Sequence, residues 1–560
     1  MPKSKQQTLE FLLENRIKLG TVSGILTTKP NLIEWVDRNI PEIELITTKS
    51  YQVNPNQGNR EPIIVEADIG CYGNAVGLKN PGMEQGHKDL AELRKRHDLR
   101  SYLNVSLSAN CIDDFIKLVK KFEDVADMLE LNFSCPHAAA GYGSSIGSDA
   151  DIVKRYMQEI RKNTSAILFP KLTPNVENIG EIAKAAIEGG ADGISAINTV
   201  GPECYIEPYT KKPVLYNPDG HVGGRSGEWI KEKAIECIKE IRKYIGKNTP
   251  IIGMGGISNG GDIRRMIKAG ANVVGLGSIF ARVEKEDLAN FILSLKADSK
   301  NRTKTAEDFL SNKRLAEYKP YKISNIRDVC KDLKIFELEG RIDYKASQFA
   351  FLWIPEIGEK PFSIAKNEPL TFLVRKKGAF TGAMFGLNIG DEIMIRGPYG
   401  KGAPDTFKKN AYIVAGGTGI AVVPKLAEAL KKQNKNIKVY FGATKEKEII
   451  FKDEIERYAA FIPVTDNGVK GRVLGIMENN LKNNLNGDNC CFYNIGPAAF
   501  MDRAMKIQEN LGAYPENIYA SLETNNMCGI GLCGECECGG KLTCKEGTFF
   551  SLDYLRKNKI

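Results

Sequence analysis

The chain has 560 residues, of which 42% are hydrophobic and 26% charged, and its formal net charge is +9. This length exceeds what one hydrophobic core usually serves, so about three or four domains are expected. The composition excludes a fibrous or disordered protein, and scattered Lys and Arg residues argue against nucleic-acid binding. No apolar run approaches the ~18 residues of a membrane span, and a signal peptide is not apparent. A cytoplasmic protein without membrane or nucleic-acid partners is predicted.

Repeated βα units dominate residues 1–295. Short β-branched runs such as ILFPKLTP alternate with amphipathic segments such as NIGEIAKAAIEGG. This rhythm indicates parallel strands and favours a (β/α)8 barrel over a doubly wound sheet. Because barrel active sites gather at the C-terminal ends of the strands, polar residues that end the apolar runs are expected to converge there. These strand-end residues are Lys49, Asn104, Asn132, Cys135, Lys171 and Asn198.

The sequence pattern changes more than once in the second half of the chain. Residues 296–316 are polar and Lys-rich, as in an interdomain linker. Short alternating strands over 317–408 predict a small antiparallel β-barrel. The βα alternation returns over 409–512 and predicts a nucleotide-binding α/β domain. The remaining residues, 513–560, form a cysteine-rich segment.

The cysteine-rich segment carries the spacing of an iron-sulfur site. Cys528, Cys533 and Cys536 follow the C-x4-C-x2-C pattern of plant-type 2Fe-2S ligation. The glycines around them let the backbone wrap closely around a cluster. A zinc site would more usually show two separated C-x2-C pairs. The sequence therefore predicts a 2Fe-2S cluster with Cys544 as fourth ligand, a role for which Cys538 competes.

A glycine-rich turn near the start of the α/β region predicts a dinucleotide site. It follows the apolar run YIV, precedes a helical segment and is formed by Gly416, Gly417, Thr418 and Gly419. A strand, a glycine turn and a helix together place backbone N–H groups where a pyrophosphate can bind.

Over most of residues 317–560 the chain resembles the electron-transfer subunit of NAD-linked dihydroorotate dehydrogenase, a member of the ferredoxin-reductase-like group. KPFSI resembles the family's Arg-Pro-x-Ser FAD motif, with Lys where Arg is usual, and VRKKGAFT resembles its second flavin segment. The resemblance implies FAD and NAD as cofactors, with NAD at the glycine turn. The residues it implies for FAD are Lys360, Pro361, Phe362, Ser363, Val374, Arg375 and Thr381.

The first half resembles the dihydroorotate dehydrogenase barrel, above all in NAVGLKNPG, NFSCP, GGRSG and GMGGI. The resemblance implies that Cys135 is the catalytic base. It implies substrate binding by Lys49, Asn74, Ala75, Val76, Gly77, Leu78, Asn132, Asn198 and Thr199. It implies FMN binding by Ser23, Lys49, Ser50, Asn104, Asn132, Lys171, Ile197, Gly227, Gly255, Gly256, Gly277 and Ser278.

The activity that both resemblances imply is oxidation of (S)-dihydroorotate to orotate in pyrimidine biosynthesis. Electrons would pass from FMN through the 2Fe-2S cluster and FAD to NAD+, in a homodimer of the fused chain. His137 leaves an alternative open, because SCPH is also the form of dihydropyrimidine dehydrogenases, which reduce uracil and thymine. A flavin and iron-sulfur electron carrier without pyrimidine chemistry is a third reading. The choice between NAD and NADP stays open.

Overall fold

The protein is described by a computed structural model, which covers residues 2–133, 146–218, 220–466 and 472–560. It divides into two compact units, each of which is assembled from separate stretches of the chain. The first unit is Met1–Glu317 with Ile530–Gly540, and the second is Tyr318–Gly529 with Lys541–Ile560.

Eight parallel strands close into a barrel in the first unit, in the order β1-β12-β11-β8-β7-β6-β5-β2. The predicted (β/α)8 barrel is therefore confirmed. Up to Glu317, the strands of this unit are β1 (Leu19–Thr21), β2 (Ile43–Thr47), β3 (Ile64–Asp68), β4 (Cys71–Asn74), β5 (Tyr102–Leu107), β6 (Met128–Asn132), β7 (Leu168–Leu172), β8 (Ile194–Ala196), β9 (Val200–Cys204), β10 (Val222–Gly227), β11 (Ile251–Met254) and β12 (Val273–Leu276).

Helices follow most of the barrel strands, and their sequences explain why they form. In the helix Ile112–Phe122, the residues Phe115, Leu118, Val119 and Phe122 recur at helical spacing and are buried, while acidic residues begin the helix and lysines end it. The helices of this unit are α1 (Lys5–Leu13), α2 (Pro30–Asn39), α3 (Met83–Arg96), α4 (Ile112–Phe122), α5 (Ala150–Arg161), α6 (Ile179–Glu188), α7 (Lys231–Ile245), α8 (Gly260–Ala269) and α9 (Leu288–Asn301).

Helix α1 closes the N-terminal end of the barrel. Its Phe11 and Leu12 pack with Leu45 and Met128 in one buried cluster. The buried Lys18 ammonium donates hydrogen bonds to the carbonyl oxygens of Phe11 and Leu12 at 2.9 and 3.1 Å, and so caps the end of the helix. Since this end is filled by apolar side chains, the opposite end is left for a functional site.

Strands β3, β4, β10 and β9 form a separate antiparallel sheet in the order β3-β4-β10-β9. In this sheet Asn74, the last residue of β4, is in register with Gly224 of β10. Strands β3 and β4 come between the barrel strands β2 and β5 in the chain, and β9 and β10 come between β8 and β11. The sheet therefore positions the loops that precede and follow these strands.

The predicted linker contains folded structure. Helix α9 continues to Asn301, and a 3-10 turn spans Thr305–Phe309. The buried carboxylate of Asp298 accepts hydrogen bonds from the Ala306 amide and the Thr305 hydroxyl, both at 2.8 Å. These residues belong to the first unit, which extends to Glu317. The five-part division of the chain stays a prediction.

The second unit begins with a closed six-stranded barrel, in the order β13-β14-β17-β16-β15-β18, with antiparallel pairing throughout. Its apolar interior is a single buried cluster. Small antiparallel barrels of this kind were predicted from the short alternating strands. These strands are β13 (Lys319–Cys330), β14 (Leu333–Leu338), β15 (Phe349–Ile354), β16 (Gly358–Asn367), β17 (Leu370–Arg375) and β18 (Glu392–Tyr399).

A six-stranded sheet follows in the order β21-β20-β19-β22-β23-β26, parallel except for its last strand. Its strands are β19 (Asn410–Gly416), β20 (Asn436–Ala443), β21 (Ala460–Thr465), β22 (Cys490–Ile495), β23 (Ile518–Ser521) and, after β24 (Glu537–Cys538) of the first unit and β25 (Lys541–Leu542), β26 (Phe549–Ser551). The helices are α10 (Ala379–Met384), α11 (Val423–Lys432), α12 (Lys452–Glu456), α13 (Arg472–Leu481), α14 (Ala498–Asn510), α15 (Thr543–Glu546) and α16 (Leu552–Lys557).

The predicted fold class of this half is confirmed as well, with a small barrel, an α/β nucleotide-binding sheet and a cysteine-rich segment. None of the helices in the described ranges combines the length and the apolarity that crossing a bilayer would require.

Candidate active site

The barrel brings the predicted strand-end residues to one edge. Ser23 follows β1, and Lys49 and Ser50 follow β2. Asn132 is the last residue of β6, where it is in register with Lys171 of β7. These positions agree with the expectation that the polar residues gather at the C-terminal ends of the strands.

A chain of buried hydrogen bonds links several strands just below this edge. The Ser50 hydroxyl lies 3.2 Å from that of Ser23 and 2.9 Å from that of Ser106. Ser106 donates to Glu130 Oε1 at 3.2 Å, and Lys171 Nζ lies 3.7 Å from the same oxygen. Glu130 is fully buried, so Lys171 supplies the opposite charge that a buried carboxylate requires.

Sequence reasoning missed Ser106 and Glu130, because both lie inside strands where core residues are expected. A signal was present in the sequence. Glu130 is an acidic residue in the middle of the apolar run MLELN, and a charge inside a buried strand needs a partner.

The predicted asparagines are already oriented by neighbours, but they do not all lie at strand ends. Asn104, which the sequence placed at the end of a strand, lies inside β5, because the strand continues to Leu107. Asn198 Nδ2 donates to Asn132 Oδ1 at 3.3 Å, and Asn198 Oδ1 accepts from the Thr199 amide at 2.8 Å. Asn104 donates to Thr47 Oγ1 at 3.2 Å, while its buried Oδ1 has no hydrogen-bond partner in the described part of the chain. An unpaired buried acceptor is costly, and a hydrogen-bond donor on a bound ligand would satisfy it.

Asn74 and the loop after it are fixed from two sides. Asn74 Nδ2 donates to the carbonyl oxygen of Gly224 at 3.1 Å and lies 3.4 Å from Ser226 Oγ. In the loop formed by residues 75–78, the Ala75 carbonyl oxygen accepts from Asn59 Nδ2 at 3.0 Å. We call residues 75–78 the substrate loop, because it carries four of the predicted substrate-binding positions.

Lys49 lies against the backbone that follows Ser23. A Cβ atom on Gly24 would stand 2.7 Å from Lys49 Cδ, so the lysine stem occupies the space that a side chain there would need. Gly24 has a φ of 75°, which few other residues adopt without strain. The arrangement holds a cationic side chain beside the predicted flavin-binding Ser23.

Glycines at the ends of β10 and β11 form a cradle of buried and half-buried backbone. Gly227, Gly255 and Gly256 have φ values of 99°, 133° and 69°. A Cβ on Gly227 would stand only 2.0 Å from the carbonyl oxygen of Gly70. A small cavity of about 10 Å³ lies here and is lined by Gly70, Gly227, Glu228, Gly256, Ile257, Ser278, Ile279 and Arg282.

This cradle suits the phosphate of FMN. Backbone amides after the last two strands are the usual phosphate site of such barrels, and β11 and β12 are those strands here. The Arg282 guanidinium, 2.5 Å from Glu228 Oε1, lines the same cavity and is held by the Ser311 carbonyl oxygen at 3.0 Å. The residues present therefore fit the cofactor that was predicted.

Two residues of the prediction cannot be placed. The expected base, Cys135, and His137, on which the substrate alternative depends, both lie outside the described residues.

In the second unit, the predicted FAD residues lie on neighbouring elements. Residues 360–363 belong to β16, β17 ends at Arg375, and Thr381 lies in α10. Thr381 Oγ1 accepts from the amides of Lys377 and Gly378 at 2.8 and 3.0 Å and so fixes the turn after β17. Arg375 is paired with Asp332 at 2.7 Å, an interaction that the sequence did not indicate.

The predicted dinucleotide turn lies at the switch point of the parallel sheet. Strand β19 is followed by β20 on one side, whereas β22 lies on its other side. Ligands of open α/β sheets bind outside the carboxyl ends of the strands where the order reverses. Gly417 has a φ of 55° with open space around it, and a Cβ on Gly419 would stand 2.8 Å from the Ile495 carbonyl oxygen. Gly417 and Gly419 are half-buried, and Gly419 therefore leaves no room for a side chain.

The predicted iron-sulfur ligands are all buried, but they belong to different units. Cys528 and Cys544 are part of the second unit, whereas Cys533 and Cys536, like Cys538, are part of the first. Within the described ranges no group of three or more His, Cys, Asp or Glu side chains is arranged to hold a metal ion. Buried thiols on a glycine-rich backbone are the donor chemistry of such a cluster, so the site stays a prediction.

A buried charge network, which the sequence analysis did not find, lies next to Cys528 in the second unit. The Arg396 guanidinium donates to Glu359 Oε2 at 2.9 Å and to Glu359 Oε1 at 2.5 Å. It also donates to the Cys528 carbonyl oxygen at 2.7 Å and to the Tyr399 hydroxyl at 3.0 Å. Burial raises the pKa of Tyr399 to about 12 even though Arg396 opposes the shift. The network fixes the backbone of the first predicted ligand.

The chain combines a barrel that has a glycine cradle at its open end with a nucleotide site at the switch point of an α/β sheet. This combination defines a flavin-linked oxidoreductase. The family model for dihydroorotate dehydrogenase matches residues 7–292, and the model for the oxidoreductase NAD-binding domain matches residues 413–506. The chain belongs to the dihydroorotate dehydrogenase family and carries a C-terminal FAD/NAD-binding oxidoreductase module in the same polypeptide.

Curated relatives match the barrel region. The catalytic subunit of dihydroorotate dehydrogenase B (NAD(+)) from Methanocaldococcus jannaschii is 40% identical over 236 residues, which cover 42% of this chain and 74% of the relative. The same subunit from Alkaliphilus metalliredigens is 38% identical over 260 residues, 46% of this chain and 82% of the relative. Dihydroorotate dehydrogenase A (fumarate) from Lactobacillus delbrueckii is 39% identical over 258 residues, 45% and 80% of the two chains.

A solved structure of the NADH-dependent reduced ferredoxin-NADP oxidoreductase, described in connection with flavin-based electron bifurcation, aligns with 24% identity. It covers 42% of this chain and 88% of its own, and its TM-score of 0.37 is too low to support an inference.

Proposed function

We propose that this chain oxidises (S)-dihydroorotate to orotate in pyrimidine biosynthesis and passes the electrons by way of FMN, a 2Fe-2S cluster and FAD to NAD+. The observation that carries the proposal is the hydrogen-bonded pair of Asn132 and Asn198 at the carboxyl ends of barrel strands, in a chain that also has a switch-point nucleotide site. An electron carrier without pyrimidine chemistry would not require those strand-end side chains.

The second half of the chain supports NAD+ as the electron acceptor. Relatives named for NAD(+) and for fumarate match the barrel at 40% and 39% identity, so the barrel does not discriminate between the two acceptors. A domain of the NAD-binding type at 413–506 favours NAD+. In our proposal Gly416–Gly419 bind its pyrophosphate through their backbone amides.

The barrel residues would bind and orient the substrate. Asn74, Asn132 and Asn198 carry amides that neither titrate nor compete for a proton, so they fix the pyrimidine ring by hydrogen bonds. The Lys49 ammonium is suited to the substrate carboxylate. Cys135 would take the C5 proton as general base. FMN, when bound, supplies the acceptor for the C6 hydride.

Lys171 would place a fixed positive charge beside the flavin. Its ammonium is held 3.7 Å from the buried carboxylate of Glu130, which in turn is held by Ser106. Glu130 therefore acts on the flavin site through Lys171. In the second unit, residues 360–363, Val374, Arg375 and Thr381 would hold FAD. Cys528, Cys533, Cys536 and Cys544 would be the ligands of the cluster.

The test is anaerobic reduction of the flavin by dihydroorotate, followed as bleaching of the visible absorbance. We expect the wild-type protein to bleach and Cys135→Ser to bleach far more slowly near neutral pH while it retains FMN. Cys237→Ser is the matched control, because that buried thiol lies in α7, on the outside of the barrel. Bleaching of Cys135→Ser at a near-normal rate would refute the assignment of Cys135 as the base.

The rival substrate is tested in the same assay. The SCPH form at residues 134–137 is what favours a dihydropyrimidine dehydrogenase. We expect dihydroorotate to bleach the flavin and dihydrouracil not to, because Lys49 has a carboxylate to bind only in the former. The opposite preference would replace the proposed substrate.

Two further measurements test the remaining parts of the proposal. Comparison of NAD+ with NADP+ as reoxidant tests the predicted NAD dependence. The mass of the protein by light scattering tests the predicted homodimer.

A further inference from the structure

The cysteine-rich stretch Ile530–Gly540, which we call the cysteine segment, is part of the first unit. Barrel side chains hold its backbone at several points. Thr28 donates a hydrogen bond to the carbonyl oxygen of Cys533 at 2.8 Å. Lys29 donates to that of Glu535 at 3.2 Å, and Lys285 donates to that of Gly540. The cysteine segment therefore has a fixed place on the barrel unit.

One ion pair joins the cysteine segment to the substrate loop. Lys79 directly follows the substrate loop, and its Nζ lies 3.5 Å from Glu535 Oε2. Glu535 lies between two of the predicted cluster ligands, Cys533 and Cys536. The side chains of Lys79 and Glu535 are only 19% and 12% exposed, so salt screens their attraction less than it would at an open surface.

The backbone around Lys79 is fixed, so a movement of the lysine would be passed to the substrate loop. Asn80, the next residue, donates from Nδ2 to the Leu78 carbonyl oxygen at 2.8 Å. Its Oδ1 accepts from the amides of Gly82 and Gln52 at 2.9 and 3.2 Å.

The other end of the ion pair is equally constrained. A Cβ on Gly534 would stand 2.5 Å from Thr28 Oγ1, so the backbone before Glu535 is in tight contact with the barrel. The same Thr28 hydroxyl lies 3.1 Å from the carbonyl oxygen of Gly24, the residue against which Lys49 lies. The cysteine segment thus contacts the substrate side of the barrel at two independent places.

We propose that the ion pair between Lys79 and Glu535 couples the substrate loop to the cysteine segment, so that ligand in the substrate site and placement of the cysteine segment each favour the other. Lys79 and Glu535 are positioning residues in this inference, which rests on the proposed function for the identity of the substrate. Since coupling between two sites is reciprocal, it is measurable from either side.

The first experiment measures the orotate Kd of the oxidised full-length holoenzyme from the change in flavin absorbance on titration. Lys79→Gln and Glu535→Gln are each expected to raise the Kd about two- to fivefold, the range of a partly exposed ion pair. The double variant should be no weaker than either single variant, and the exchange Lys79→Glu with Glu535→Lys should restore binding. The limiting rate of flavin reduction by dihydroorotate should stay unchanged, because neither residue touches the substrate.

Glu537→Gln is the matched control. Glu537 lies in the same segment but is paired with Lys29 at 3.8 Å and Asn31 at 3.2 Å, neither of which is in the substrate loop. Its replacement should leave the orotate Kd unchanged. The reciprocal experiment is hydrogen exchange of residues 530–540, which orotate should slow in the wild-type protein and not in Lys79→Gln.

An unchanged Kd for Glu535→Gln, additive effects in the double variant, or an equal effect of Glu537→Gln would each overturn the coupling. Those results differ from failure of the proposed function, in which the wild-type protein neither binds orotate nor is bleached by dihydroorotate. That outcome would remove both the proposed function and the inference that rests on it.

Discussion

Replacement of Arg396 by Met tests the buried charge network of the second unit. The side chains of Arg396 and Glu359 are both completely buried, and the pair is bidentate. Arg396→Met would leave the Glu359 carboxylate without its counter-charge and the Cys528 carbonyl oxygen without its donor. Removal of one partner from a buried ion pair costs about 3–5 kcal/mol, because the remaining charge is neither solvated nor paired.

The loss is large enough to measure in urea. For an m-value of about 3 kcal/mol/M, it lowers the unfolding midpoint by roughly 1–1.7 M. Trp353 is the reporter, since it is buried in the second unit with its ring centroid 4.8 Å from that of Tyr318, whose hydroxyl donates to Glu359. The other two tryptophans, Trp35 and Trp229, would be replaced by Phe in all variants so that the emission reports this unit.

The control removes the charge together with its partners. Arg396→Met combined with Glu359→Leu and Tyr318→Phe leaves no buried charge behind, and apolar replacements of buried pairs are often neutral. Most of the lost stability should therefore return. A midpoint shift below about 0.3 M for the single variant, or a combined variant no more stable than the single one, would refute the reasoning.

Three further predictions concern the cradle, the dinucleotide turn and the folded end of the first unit. Gly227→Ala should release FMN and cost about 2–4 kcal/mol, because its Cβ would clash with backbone. Gly246→Ala, with the same sign of φ and open space, should keep FMN. Both variants are compared by the FMN, separated from FAD, that stays with the protein on gel filtration. Gly419→Ala should raise the KM for NAD+ at least tenfold and leave anaerobic bleaching by dihydroorotate unaffected. Burial opposes the shift, but hydrogen bonds from Ala306 and nearby hydroxyl groups hold the pKa of Asp298 below its ordinary value. That stabilisation is present above about pH 4 and is lost as the pH falls through the depressed pKa. Asp298→Asn should therefore lower stability by about 1–2 kcal/mol at pH 7 and flatten the acid limb of a pH-stability curve.

The barrel and the nucleotide-binding sheet could be predicted because their signals are local. Helix α4 shows the apolar spacing of an amphipathic helix within eleven residues, and β6 is a continuous buried run. The same is true of the glycine turn after β19. The accessory sheet could not be predicted, since β10 has the sequence VGGRSG, which resembles a loop, and becomes a strand only by pairing with β4 some 150 residues away.

Site residues could be predicted where a polar residue stands at the end of an apolar run. They could not be predicted where the role of a residue depends on partners far away in the sequence. Asn132, Lys171 and Asn198 were found because polar residues after apolar runs are conspicuous. Glu130 was missed because its role arises from partners on two other strands. The attachment of the cysteine segment to the barrel unit was missed for a similar reason, because local periodicity does not encode which of two units a segment packs upon.

The membership of Ile530–Gly540 in the first unit also has a consequence for how the protein is made. Domains generally fold in the order of synthesis, at about 5–20 residues per second. The last part of the barrel unit, which ends at Gly540, is therefore synthesised some 10–45 s after Glu317 is added. During that interval the surfaces of Thr28, Lys79 and Lys285 that receive the cysteine segment are uncovered, so the barrel unit is completed only near the end of translation.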